Sequence, residues 1–164
     1  SIAQSDIAQL AQNIVEKAQQ NNIVIALAES CTGGMIAAAR TDVSGSSRVL
    51  DRGFVTYSNN AKMDILGVSQ AGLRKHGAVS EFTACAMTHG TLIAAPEANL
   101  ALSVTGIAGP SGGSAEKPVG LVHFSCLRRD APLRHAAHIF PGNRGQIRQQ
   151  AVKTALMMIG EALD

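Results

Sequence analysis

The run Ile23-Val24-Ile25-Ala26-Leu27-Ala28 is apolar at six successive positions, and its first three residues are β-branched. A strand with one wet face alternates polar and apolar residues. A strand without that alternation is covered on both faces, and so needs helices above and below it. The preceding segment supplies one such helix: Ile7, Leu10, Ala11, Ile14, Val15 and Ala18 recur at helical spacing over residues 5 to 20, and Asn21-Asn22 ends it. Asn99 to Val104 is a second buried strand. Between the two runs the sequence predicts a small-residue helix at Met35–Arg40 and a short strand at Phe54–Tyr57. Three helices follow, opened by Ser58, Ser69 and Ser80; the first two close at Gly67 and Gly77, and the third stops before Pro96. Val119–Leu127 and Leu133–Phe140 flank Arg128-Arg129-Asp130-Ala131-Pro132 and read as a hairpin. Asn143 caps a last helix with an apolar face from Ile147 to Leu163. This alternation predicts an α/β fold: a three-layer α/β/α sandwich on a mixed, mostly parallel sheet of about five strands, with residues 1–164 as one domain.

Bulk properties narrow the function. Formal net charge is +2 and aromatic residues make up 3%, with one Tyr and no Trp. Neither a basic footprint nor a base-stacking platform for nucleic acid is present. No apolar run reaches the roughly 18 residues that cross a bilayer. The first six residues are polar and lack a basic n-region, so a secretory signal is not expected there. Cys31, Cys85 and Cys126 are odd in number and widely spaced, which argues against a disulfide framework and for a reducing cytoplasm. The histidines do not fall at metal-ligand spacing: His135 and His138 lie on opposite faces of a predicted strand, and His76, His89 and His123 have no partners.

Ligands of open α/β sheets bind beyond the carboxyl ends of the strands. Three polar segments occupy such ends here: Glu29–Gly34, Tyr57–Lys62, and the loop Thr105 to Pro118, with four glycines and two prolines in fourteen residues. Glycine lets backbone approach a ligand, so this loop reads as one wall of a pocket, the alternative being a flexible surface loop. Ser30-Cys31-Thr32-Gly33-Gly34 puts hydroxyls and N–H groups at a helix N-terminus; it is equally an anion cradle or ordinary capping. Ser46 or Ser47 with Lys62 could form a serine–lysine dyad, in which a desolvated amine takes the hydroxyl proton. The plainer reading is turn chemistry for the serines and a solvated helix face for Lys62. Cys31 is a nucleophile or, more simply, a small buried filler. Arg144, in the first turn of the last helix, is a phosphate clamp or a surface arginine, and Arg148 is a weaker candidate one turn on.

Taken together, Ala28-Glu29-Ser30-Cys31-Thr32-Gly33-Gly34, Gly45-Ser46-Ser47, Gly53-Phe54-Val55-Thr56-Tyr57-Ser58-Asn59 with Lys62, Gly77-Ala78-Val79-Ser80, Thr105-Gly106-Ile107-Ala108-Gly109-Pro110 through Gly113-Ser114, and Lys117-Pro118-Val119-Gly120 resemble the C-terminal domain of competence-damage-inducible protein CinA. That family includes stand-alone nicotinamide-nucleotide amidohydrolases, and the resemblance runs from about residue 5 to 163. It implies hydrolysis of the carboxamide of nicotinamide mononucleotide to nicotinic acid mononucleotide and ammonia, by a metal-independent serine mechanism without a cofactor. By the same resemblance Ser47 is the nucleophile and Lys62 the base, with Tyr57 and Ser30 lining the reaction centre. Thr32, Gly33, Thr105, Gly106, Ala108, Gly109 and Arg144 contact the substrate, and the chain forms a homodimer. Ser30, at a strand end, is the alternative nucleophile. Asn143 and Ser111 stand where relatives usually carry acidic residues. Fuller relatives have an N-terminal pyrophosphatase domain, expected to be absent here. The competing expectation is a nucleotide-sensing or protein-interaction module without turnover.

Overall fold

The computed structural model describes residues 4–164. Five strands form one sheet in the order β2-β1-β3-β4-β5: β1 Ile25–Glu29, β2 Leu50–Val55, β3 Leu100–Gly106, β4 Leu121–Arg128 and β5 Arg134–Ile139. β1 lies between β2 and β3, parallel to both, whereas β4 runs antiparallel to β3 and β5. Four strands therefore point one way, with β4 reversed among them. Six helices cover the sheet: α1 Gln4–Gln20, α2 Met35–Thr41, α3 Asn59–Leu66, α4 Gln70–His76, α5 Glu81–Ala94 and α6 Arg144–Leu163. Among the described residues, no helix is long and apolar enough to cross a membrane.

The two faces of the sheet differ in residue size, and this sets the layers. Ile25, Leu27, Leu100, Leu102, Val104, Val122 and Phe124 point to one side and pack with Ile7, Ile14, Ile36, Ile147, Leu156 and Ile159 of α1, α2 and α6. The alternate residues are small. Ala26 and Ala101 meet Leu92 of α5, and Ala28 meets Leu66, Leu73 and Met87 of α3, α4 and α5. Small side chains let α5 lie close, so its contact with the sheet is partly polar. The Thr88 hydroxyl is 2.8 Å from that of Ser103, which itself donates to the Ala84 carbonyl at 2.6 Å. The Arg129 guanidinium donates to the carbonyls of Leu92 and Ala95 at the end of α5, satisfying groups the helix itself leaves open.

The serine-opened helices form as the sequence predicts. The hydroxyls of Ser58, Ser69 and Ser80 accept from the N–H groups of Ala61, Gly72 and Thr83. Asn143 and Gln146 form a reciprocal capping box on α6. The main difference lies in β2, which begins at Leu50 rather than Phe54. It is an edge strand, largely exposed and carrying Asp51 and Arg52, so its first half shows no apolar signal.

Candidate active site

β1 ends at Glu29, and the chain turns at once into α2. The Ser30 N–H is anchored to the Val104 carbonyl of β3 at 3.1 Å, and the Thr56 N–H, just past β2, donates to the Glu29 carbonyl at 2.9 Å. Three strand exits are thus tied side by side. Ser58 starts α3 immediately beyond, placing Lys62 one turn in, with its side chain folded back toward the sheet. The Lys62 Nζ lies 2.7 Å from the Thr56 carbonyl, 3.2 Å from the Tyr57 carbonyl and 3.1 Å from the Ser30 Oγ. Lys62 is 1% exposed, and among the described residues it has no carboxylate partner. Burial pushes its pKa down from 10.5 to about 8. In the neutral form two N–H bonds go to the two carbonyls, which leaves the lone pair free to accept the Ser30 proton.

The expected pairing of Lys62 with Ser47 is not made. Ser47 sits in a 3-10 turn, Ser46–Arg48, that enters β2. Val49, two residues on, accepts the N–H of Ile25 at the start of β1. Ser47 therefore lies at the amino end of the parallel strands, about 16 Å along β1 from Ser30 at ~3.3 Å per residue, and is solvent-exposed. Parallel strands separate residues before a strand from residues after it, so the serine brought to Lys62 is Ser30.

The anion-cradle reading of the α2 N-terminus also changes. The buried Glu29 carboxylate occupies that end, accepting from Ile36 N and Ala37 N at 3.0 Å each and from the Thr32 hydroxyl at 2.6 Å. The helix end carries an internal anion, and the Thr32 side chain is engaged in holding the turn. Cys31 is buried beside Lys62, and desolvation raises its thiol to about 11; it remains a protonated filler, and the nucleophile reading is set aside.

The remaining expected residues divide into two groups. Arg144 bridges the mouth: one Nη donates to the Gly109 carbonyl at 2.7 Å and the other to the Tyr57 hydroxyl at 3.1 Å. Tyr57 is 61% exposed and joins the site at both ends, since its carbonyl holds Lys62. Thr105, by contrast, is buried and donates its hydroxyl to the Ala78 carbonyl at 2.9 Å, toward the α4–α5 connection. Gly106 and Gly109 permit close packing of the loop on its own base: an added Cβ would stand 2.6 Å and 2.4 Å from side-chain carbons of Val122 and Val119. Ala108 is buried, and Gly33, at φ +59, is exposed next to the Arg148 guanidinium.

One contributor, Glu29, has no role assigned by sequence reasoning. Glu29 left a signal, a lone carboxylate closing an apolar run. Arg148, the weaker of the two clamp candidates, holds the turn instead: its guanidinium donates to the Cys31 carbonyl at 3.0 Å and the Thr32 carbonyl at 3.3 Å. Away from this site, His123 Nδ1 lies 2.9 Å from His135 Nε2, a pair that β4–β5 pairing creates. No three of the described His, Cys, Asp or Glu residues gather in a metal-binding arrangement.

The CinA C-terminal domain family model matches residues 7–163. The chain belongs to that family. It is 43% identical over 155 residues to nicotinamide-nucleotide amidohydrolase PncC of Escherichia coli K12, covering 94% of this chain and 93% of that protein. It is 48% identical over 148 residues to a CinA-like protein of Syntrophobacter fumaroxidans, covering 90% of this chain but 34% of that longer relative. Among solved structures, competence/damage inducible protein CihA of Agrobacterium tumefaciens superposes with a TM-score of 0.93 at 48% identity, over 99% of this chain and 98% of that one.

Proposed function

We propose that this CinA-family chain is a nicotinamide-nucleotide amidohydrolase, with Ser30 as nucleophile and Lys62 as general base. The single observation that carries the mechanism is the buried Lys62 amine, held by two carbonyls and 3.1 Å from the Ser30 hydroxyl. The substrate class follows from the name of the E. coli relative, which aligns over nearly the whole of both chains.

In the proposed reaction Lys62 takes the Ser30 proton as Oγ attacks the carboxamide carbon. The resulting oxyanion is met by backbone N–H groups of the Ser30–Gly34 turn; those of Cys31 and Thr32 have no acceptor among the described residues. The C–N bond then breaks, and the departing nitrogen takes the proton from the Lys62 ammonium and leaves as ammonia. Water attacks the Ser30 ester, Lys62 takes the water's proton and returns it to Oγ, and the nicotinate carboxylate is released. Arg144 spends two of its five N–H donors on Tyr57 and Gly109 and has three left for the nucleotide phosphate.

The test is ammonia release from nicotinamide mononucleotide by the purified chain and its Ser30→Ala and Lys62→Met variants. Turnover by the wild type, and its loss in both folded variants, supports the proposal. Ligand-induced stabilisation without ammonia would instead indicate a sensing module, and activity surviving Ser30→Ala would remove the assigned nucleophile.

A further inference from the structure

The turn that carries Ser30 is gripped from two sides. Within the turn and α2, the Glu29 carboxylate holds Thr32 and the N–H groups of Ile36 and Ala37. From the far end of the chain, Arg148 of α6 holds two successive carbonyls, Nε on Cys31 at 3.0 Å and Nη2 on Thr32 at 3.3 Å. Gly33 makes this approach possible: at φ +59 it carries no side chain where a Cβ would stand 3.3 Å from Nη2.

A trans peptide points its carbonyl and its N–H to opposite edges. With the Cys31 carbonyl pinned on Arg148, the N–H of the same peptide, that of Thr32, is turned to the other side. Of the other N–H groups of the turn, that of Ser30 goes to Val104 and that of Gly33 to the Ser30 carbonyl, while that of Cys31, in a peptide Arg148 does not hold, is also without an acceptor among the described residues. The Thr32 N–H has no acceptor among the described residues, although Thr32 is buried. A buried donor without an acceptor is costly to maintain, so something must hold it there. A guanidinium on the carbonyl of that peptide does so and also polarises its N–H toward stronger donation.

We infer that Arg148 is a positioning residue, keeping the Thr32 N–H vacant and aimed for the oxyanion that forms when the Ser30 hydroxyl attacks a carboxamide. This rests on the amidohydrolase reading above. Arg148 touches neither Ser30 nor Lys62 in the hydrogen-bond network and acts through the turn.

The experiment measures kcat and KM separately for wild type, Arg148→Met, Arg148→Lys and Arg148→Ala on nicotinamide mononucleotide, with thermal melting of each. Deleting an oxyanion donor outright typically costs 10²–10³ in kcat; loosening one should cost about ten- to a hundredfold, with KM within about threefold. Arg148→Lys keeps the charge but cannot span two carbonyls and stays impaired, whereas added guanidinium partly restores Arg148→Ala. The pH–rate inflection, which belongs to Lys62, stays in place. An unchanged kcat in any folded variant overturns the inference, as does a raised KM at constant kcat, which would make Arg148 a substrate contact. A silent wild type fails the amidohydrolase reading and this inference together; an active wild type with indifferent Arg148 variants fails this inference alone.

Discussion

Replacing Lys62 by Arg separates its two possible jobs. Arginine keeps a cation and several donors for the Thr56 and Tyr57 carbonyls but stays protonated at any working pH, so it holds structure without accepting the Ser30 proton. Burial brings the Lys62 amine from 10.5 to about 8. At pH 7 a group with pKa 8 is about one-tenth neutral, against about one part in 3,000 at 10.5, so the fold raises the population of working base about 300-fold. The expected profile of kcat/KM rises about tenfold per pH unit below pH 8 and levels off above it. Lys62→Arg and Lys62→Met are expected to lose about 10²–10⁴ of activity, the usual share of general base catalysis. The assay is ammonia release between pH 6.5 and 9.5, with circular dichroism to confirm that each variant folds. A flat wild-type profile over that range, or a folded Lys62→Arg that keeps its rate, would refute the reasoning.

Other outcomes follow from the same coordinates. Ser47→Ala should keep ammonia release within about twofold of wild type, because Ser47 lies at the other end of β1, and Cys31→Ser should also stay active, because burial keeps the thiol protonated. Arg40 is 0% exposed, and among the described residues none of its three guanidinium nitrogens has a hydrogen-bond partner. Burial lowers its pKa from the ordinary guanidinium range to about 10, which is about 3 kcal/mol of penalty on the charged form. Arg40→Leu should therefore stabilise the fold by about that amount in urea titration. The sign follows from linkage: folded Arg40 releases its proton before the unfolded chain does, so its penalty is full below pH 10 and fades as pH rises above 10. Gly90→Ala would place a Cβ 1.9 Å from the Leu66 carbonyl oxygen, forcing α3 from α5. Overpacking of this kind costs about 1–3 kcal/mol, and because α3 carries Lys62, melting temperature and ammonia release should fall together.

What could be read along the chain was whatever depends on near neighbours. The doubly apolar runs of β1 and β3, the serine caps of α3, α4 and α5 and the Asn143–Gln146 box each rest on a few residues, and so they fixed layers and element order without coordinates. The polar strand exits were legible for the same reason: in a parallel sheet the loops after the strands share one edge. The start of β2 was not, because an exposed edge strand carries little apolar pattern.

Which residues meet at that edge was a different matter. Ser47 and Ser30 look alike in sequence, each a serine within three residues of a glycine in a polar turn; only the parallel pairing of β1 with β2 puts one at each end of the sheet and delivers Ser30 to Lys62. The filling of the α2 terminus by Glu29, the grip of Arg148 across more than a hundred residues, and the depressed pKa of Lys62 arise from burial and long-range packing. Hydrophobic periodicity is a local property of the chain, whereas desolvation and the direction of a side chain belong to the assembled layers.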